Sequence, residues 1–289
     1  MADALRFLII DGYPAPSRDE FRTVGMTPAG ELYAELLLRH LPGAAYDLFF
    51  PSDPGTELPA GVGLDAYAGA IWTGCNLTIY HLQDSRVVRM IELQKRLYEV
   101  GAACCGSCWG IQMAAVAAGG EVAKNPRGRE MGLARKIRLT EAGRSHPALS
   151  GKPAVFDAFI SHYDEVSRLP AGAVHLAANG FTEIQALAVT HGRGTFWAWQ
   201  YHPEYNLHEM ARLFAAREDK LLAEGFYRSH DELAAAVDDM EALAADPGRK
   251  DLRFRLAIDD DVLSDAVREL DFKNWIERLV LPRLGRGHP

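Results

Sequence analysis

Two stretches of the chain carry residue types that could do covalent chemistry together. One is Cys105-Gly106-Ser107-Cys108-Trp109-Gly110-Ile111-Gln112; the other, far downstream, is Gln200-Tyr201-His202-Pro203-Glu204. The first places a cysteine in a frame of small residues, after a buried-strand pattern and before a helical one. A fold displays a nucleophile on a sharp strand-to-helix turn in this way, and Gly106 and Gly110 leave room for backbone and helix to approach. A cysteine attacks as its thiolate, and a free one titrates at about 8.5. The start of a helix and a nearby imidazolium both favour the thiolate. His202 is the candidate base and Glu204 the group that orients it and stabilises its charge. On a strand, positions 202 and 204 share a face, and Pro203 fixes one backbone angle between them.

Attack on an amide carbonyl develops an oxyanion, which needs donors already in place. The N–H of Trp109, next to the nucleophile, is one candidate. Gly74, at the end of the preceding strand, is the other; the alternative for Gly74 is a plain strand-to-loop turn. Cys104 and Cys105 read as small buried residues.

The elements that must position these groups follow from periodicity. Strand patterns are expected at Leu5–Ile10, Tyr46–Phe50, Tyr67–Trp72 and Ala102–Cys105. Helices are expected from Thr27, as N-cap ahead of Pro28, to His40, then over Asp84–Val100 and Trp109–Ala118. Strand and helix in alternation mean a parallel sheet covered on both faces, with sites at the carboxyl ends of its strands. Thr73-Gly74 and Cys108 both fall at such ends. Ala134–Leu139, Ala154–Ile160, Val174–Ala178, Ile184–Val189 and Thr195–Gln200 then read as strands with few helices between them, an antiparallel or mixed extension. Leu207–Ala223 returns to helix. Composition shifts near Glu224, which divides the chain into a domain over 1–223 and a helical extension over 224–289. In that extension helices are expected at Asp231–Ala245, Val262–Leu270 and Phe272–Val280. Phe272, Trp275, Ile276, Leu279 and Val280 fall at helical spacing, either packing on their own domain or forming a homo-oligomer contact.

Composition narrows the function classes. The 289 residues carry a formal net charge of −8, which disfavours nucleic acid or an anionic membrane as partner. No apolar run is long enough to span a bilayer. Three of the four cysteines, Cys104, Cys105 and Cys108, crowd into five positions, and Cys75 stands apart. That is no disulfide framework, and it points to a reducing compartment, the cytoplasm. Cys105 and Cys108 form a Cys-x-x-Cys with no second pair, and His202 and His208 lie too far away in sequence for a zinc finger; no metal and no cofactor are expected.

The motifs in order resemble the class I (triad) glutamine amidotransferase family, especially its stand-alone members related to the glutaminase domain of GMP synthase. The family's Gly-x-Cys-x-Gly-x-Gln matches Gly106, Cys108, Gly110 and Gln112, and its His-Pro-Glu matches His202-Pro203-Glu204. Arg129-Glu130-Met131-Gly132 and Ser161-His162-Tyr163-Asp164-Glu165-Val166 match two further synthase-like motifs. The resemblance covers about residues 5–215. It implies a flavodoxin-like α/β fold, an open and mostly parallel sheet with helices on both faces. It implies that Cys108 forms a γ-glutamyl thioester with glutamine and releases ammonia, that His202 moves the proton and that Glu204 orients His202. Gly74 and Trp109 would donate N–H groups to the oxyanion. Gln112 and the backbone near His162, Tyr163 and Asp164 would hold the amino-acid part of the substrate. Gln112 could instead bridge loops from its helix face, and His162 could be a core or solvated histidine. Where the family's oxyanion strand usually ends in two small residues, this chain has Thr73-Gly74-Cys75-Asn76.

No nucleotide-binding Gly-x-x-x-x-Gly-Lys-Ser/Thr and no pyrophosphatase loop accompanies these motifs. Ammonia would therefore pass to a separate synthetase subunit. The rival reading is an independent hydrolase of a γ-glutamyl or other small amide. A third is a binding or regulatory protein that kept the fold and lost turnover.

Overall fold

The computed structural model describes residues 4–285. Its strands are β1 (Arg6–Ile10), β2 (Ala45–Phe49), β3 (Gly69–Trp72), β4 (Ala103–Ser107), β5 (Glu121–Lys124), β6 (Glu130–Leu139), β7 (Val155–His162), β8 (Asp164–Arg168), β9 (Val174–Ala178), β10 (Ala186–His191) and β11 (Gly194–Trp199). Nine of them form one sheet in the order β2-β1-β3-β4-β11-β10-β9-β6-β7, and β5 pairs with β8 in a small separate sheet. The run from β2 to β11 is parallel, and every pairing from β11 to β7 is antiparallel. This is the mostly parallel sheet with an antiparallel extension that the sequence predicts. The β5–β8 pair was not foreseen, because four- and five-residue strands with few buried positions carry little periodic signal.

Helices cover both faces. They are α1 (Ala15–Thr23), α2 (Ala29–His40), α3 (Ser85–Val100), α4 (Trp109–Ala117), α5 (Glu141–Ser145), α6 (Leu207–Ala216), α7 (Glu218–Ala223), α8 (His230–Ala245), α9 (Lys250–Leu256), α10 (Asp260–Leu263), α11 (Asp265–Arg268), α12 (Leu270–Trp275) and α13 (Leu281–Leu284). Strand alternation sorts the core. Phe7, Ile9, Ile71 and Cys105 pack with α2 on one face. Leu8, Ile10, Ala70, Trp72 and Cys104 pack with α3 and α4 on the other. Cys104 and Cys105 are thus core residues; burial pushes the Cys104 thiol up to about 12 and raises Cys105 as well.

Several local expectations are corrected. Helix α1 was missed. Thr27 does not cap α2: Pro28 holds the cap position with no side-chain bond. The N–H and hydroxyl of Thr27 go instead to Glu209 Oε2 and Oε1, at 2.9 and 2.8 Å, a charged acceptor that ties this turn to α6. The helix expected over 207–223 breaks at Arg217, whose guanidinium reaches Glu20 at 2.9 Å and lies over the Phe21 ring. The helix expected over 262–270 is two short ones, because Ser264 is extended (ψ 116°) between them, and α9 was not anticipated.

The end of the tail belongs to the sheet. Phe272, Trp275, Ile276 and Val280, the last two in a π-helical turn, are buried in the cluster with β1, β3 and β4. Leu279 is partly buried against the same cluster. Gly69 makes room for them: a Cβ there would stand 2.8 Å from the Trp275 ring and 3.1 Å from the Ala103 carbonyl oxygen. A buried ion pair, Lys152 Nζ to Asp271 at 2.6 Å, adds a second anchor, with Lys152 also donating to the Val267 and Arg268 carbonyls. Four of the five apolar side chains, Phe272, Trp275, Ile276 and Val280, pack within the chain.

Candidate active site

Strand β4 ends at Ser107, α4 begins at Trp109, and Cys108 between them has φ 50° and ψ −98°. A β-carbon tolerates that conformation poorly, at a cost of about 1–3 kcal/mol, and such outliers cluster at functional sites. Glycine makes the turn feasible. A Cβ on Gly106 would lie 2.7 Å from the Trp72 carbonyl oxygen and 3.1 Å from Gly110 Cα. The Cys108 N–H donates to the Trp199 carbonyl at 2.9 Å, which ties the turn to β11.

His202 and Glu204 lie beyond the end of β11, in a turn and not on a strand as the two-residue spacing suggests. The turn still brings them together: His202 Nδ1 is 2.6 Å from Glu204 Oε1. The His202 N–H donates to the Phe159 carbonyl of β7 at 2.8 Å, which ties this turn to a strand that does not neighbour β11 in the sheet. Among the described residues the imidazole Nε2 has no hydrogen-bond partner, and the Cys108 thiol is close enough to act on the ring. Burial lowers the basicity of this ring, but the Glu204 carboxylate and the Cys108 thiol outweigh it and push it up to about 10. The shift favours the protonated ring, and an imidazolium beside a cysteine favours its thiolate. The Cys108 Sγ also lies 3.5 Å from the Ser161 carbonyl oxygen.

Gly74 stands beside this pair. A Cβ on it would be 3.3 Å from His202 Cε1 and 3.3 Å from the Tyr13 hydroxyl, a tight fit that a glycine relieves so near the ring. Trp109 is the first residue of α4, and its N–H belongs to the set that helix geometry leaves without an intrahelical acceptor. Cys75, half-buried, donates to the Gly12 carbonyl at 3.1 Å, and desolvation raises its thiol above the usual range.

The thiol opens on a cleft of about 830 Å³ whose walls include Tyr13, Gln112, Tyr163, Arg129 and the turn between α6 and α7. The Gln112 amide donates to the Asp164 carbonyl at 3.1 Å, bridging α4 to β8 at the cleft wall. Both ring nitrogens of His162 are engaged, Nδ1 with the Asp164 carbonyl at 2.9 Å and Nε2 with Glu130 at 3.0 Å. Lys124 and Arg129 lie over the Tyr163 ring, and Asp164 accepts from the Tyr80 hydroxyl at 3.0 Å across the mouth.

Several residues outside the motif positions also shape this site. Ser107 bonds Glu204 at 2.8 Å. Tyr205 stacks on His202, with ring centroids 4.2 Å apart and planes 3° apart. Asp11, buried at the end of β1, accepts from the N–H groups of Tyr13 and Gly30, and burial pushes its carboxyl up to about 6. The available signals were adjacency to Cys108 and His202 and an acid at a strand end.

Comparison with known proteins agrees with this architecture. A glutamine amidotransferase from Thermotoga maritima superposes with a TM-score of 0.67 over 96% of this chain and 98% of its own; at 18% identity it speaks for the fold. The Glutamine amidotransferase class-I family pattern matches residues 82–218. A gamma-glutamyl-L-1-hydroxyisopropylamide hydrolase from a Pseudomonas species is 35% identical over 98% of this chain and 96% of its own length. A glutamine-hydrolysing GMP synthase from Nitrosomonas eutropha is 31% identical over 61% of this chain, which spans about a third of the synthase, 32% of its length. The chain belongs to the class I glutamine amidotransferase family. Among the described residues no helix is long and apolar enough to cross a membrane.

Proposed function

We propose that the protein hydrolyses the γ-amide of a γ-glutamyl amide, releasing glutamate and a small amine, through a Cys108-His202-Glu204 triad. The Cys108 thiolate attacks the γ-carbonyl carbon. The oxyanion is held by the N–H groups of Gly74 and Trp109. The tetrahedral species collapses as the His202 imidazolium gives its proton to the leaving nitrogen, and the γ-glutamyl group stays on sulfur as a thioester. A water then attacks the thioester, His202 takes its proton, and glutamate leaves with the thiolate restored. Glu204 holds Nδ1 of His202 throughout. Gln112 and the backbone of His162, Tyr163 and Asp164 line the part of the cleft assigned to the amino-acid end of the substrate. The enzyme works in the cytoplasm on this proposal, since reducing conditions there suit four free cysteines.

One observation favours an amine over ammonia as leaving group. The likeness to the γ-glutamyl-hydroxyisopropylamide hydrolase runs almost end to end, helical tail included. The cleft, in the range of pockets that take drug-sized ligands, has room for an amine substituent. The likeness to GMP synthase supports a second reading, a glutaminase that passes ammonia to a separate synthetase. Amine and ammonia release from γ-glutamyl isopropylamide and from L-glutamine, measured side by side, separates them. A kcat/KM at least about tenfold higher for the alkylamide supports the first reading. Turnover of glutamine alone, rising when a synthetase is added, supports the second.

A further inference from the structure

We propose that Ser107 is a positioning residue of the reaction and acts through the carboxylate of Glu204. The inference rests on the triad reading above and extends it by one residue.

Ser107 closes β4 and is fully buried. Its hydroxyl donates to Glu204 Oε1 at 2.8 Å, the same oxygen that faces His202 Nδ1 at 2.6 Å. The other carboxylate oxygen, Oε2, is buried without a hydrogen-bond partner among the described residues. Two contacts on one oxygen therefore fix this carboxylate, one from the histidine it must orient and one from the residue just before the nucleophile. A hydrogen bond to an ionised acceptor is of the strong, charge-assisted kind. Without it the terminal carboxylate torsion, which is soft, is restrained by His202 alone.

The arrangement couples two parts of the site. Consecutive residues of one strand end carry the hydroxyl that fixes the acid and the thiol that attacks. The Cys108 N–H holds β11 through Trp199, and the Ser107 hydroxyl holds the turn that follows β11. The dipeptide thus sets the nucleophile and the histidine-bearing turn relative to each other. Ser107 touches no reacting atom, so its contribution is orientation.

A buried hydroxyl needs a partner in any case, and satisfying itself is the rival role for this bond. A double-mutant cycle distinguishes the two. The kcat and KM of wild type, Ser107→Ala, Glu204→Ala and the double variant are measured on γ-glutamyl isopropylamide and L-glutamine, well below each melting temperature, with Cys108→Ala as control. We expect Ser107→Ala to lower kcat about tenfold with KM within about twofold of wild type. In the Glu204→Ala background the same change should cost less than about twofold more, because there is no carboxylate left to position. An equal loss in both backgrounds overturns the proposal. So does an effect on KM alone, or full activity of Ser107→Ala while Cys108→Ala is dead. Activity retained by Cys108→Ala is a different result, the failure of the triad reading itself.

Discussion

Glu130 and His162 face each other across β6 and β7 in register, with 3.0 Å between Oε2 and Nε2 and both side chains buried. Each belongs to one of the two synthase-like motifs, so the fold brings the two motifs into direct contact. Glu130 also accepts from Asn179, Thr182 and Gln185, at 2.6, 3.0 and 2.9 Å. Glu130→Ala strands these groups in the interior and is expected to cost about 3–5 kcal/mol of stability. Glu130→Gln, which keeps an acceptor oxygen, should cost about 1–3 kcal/mol. Urea denaturation ranks the two, and a cost below 1 kcal/mol for the alanine variant would contradict the assignment.

Cys108→Ala is expected to abolish turnover and leave the thermal transition nearly unchanged, since it removes one sulfur atom from a site open to the cleft. His202→Ala should lose about 10³-fold or more in kcat, and Glu204→Gln about tenfold less than that, because proton transfer outweighs orientation. Steady-state kinetics on one amide under one set of conditions gives the order; equal or reversed losses would refute the roles.

The pH dependence of stability follows from His202. The ring lies near 6.5 when unfolded and is pushed up to about 10 in the fold by Glu204 and the Cys108 thiol against the effect of burial. A basic group raised in this way contributes its full stabilisation below about 6.5, and that contribution is lost as pH rises through about 10. Unfolding free energies of wild type should therefore fall between pH 7 and 10.5 by a few kcal/mol, up to about 4, more than those of His202→Ala. Parallel curves for the two proteins would show that folding does not raise this ring.

The tail is expected to unfold with the sheet. Trp275→Ala empties a site walled by Phe7 and Phe272 at ring distances of 5.9 and 5.4 Å, at a cost of about 3–5 kcal/mol. Gly69→Ala, which drives a methyl group into the same ring, should also destabilise, and Gly69→Ala should cost less in a Trp275→Ala background than in wild type. Calorimetry on the four proteins tests this. A tail that melts in its own earlier transition would show that Trp275 does not join it to the core.

The sequence by itself determined the sheet's run of parallel strands and its antiparallel extension, and it singled out Cys108, His202 and Glu204. Those features are written locally, in apolar periodicity, in glycines that only a tight turn requires, and in short motifs with fixed spacing. Tertiary structure alone decided which distant groups meet. Thr27 gave up its cap position for Glu209, Gln112 found the Asp164 carbonyl, Ser107 found Glu204, and Trp275 found the gap above Gly69. A hydrogen bond or a packing contact between residues a hundred positions apart depends on where the whole sheet puts them, and no window of neighbouring residues contains that information.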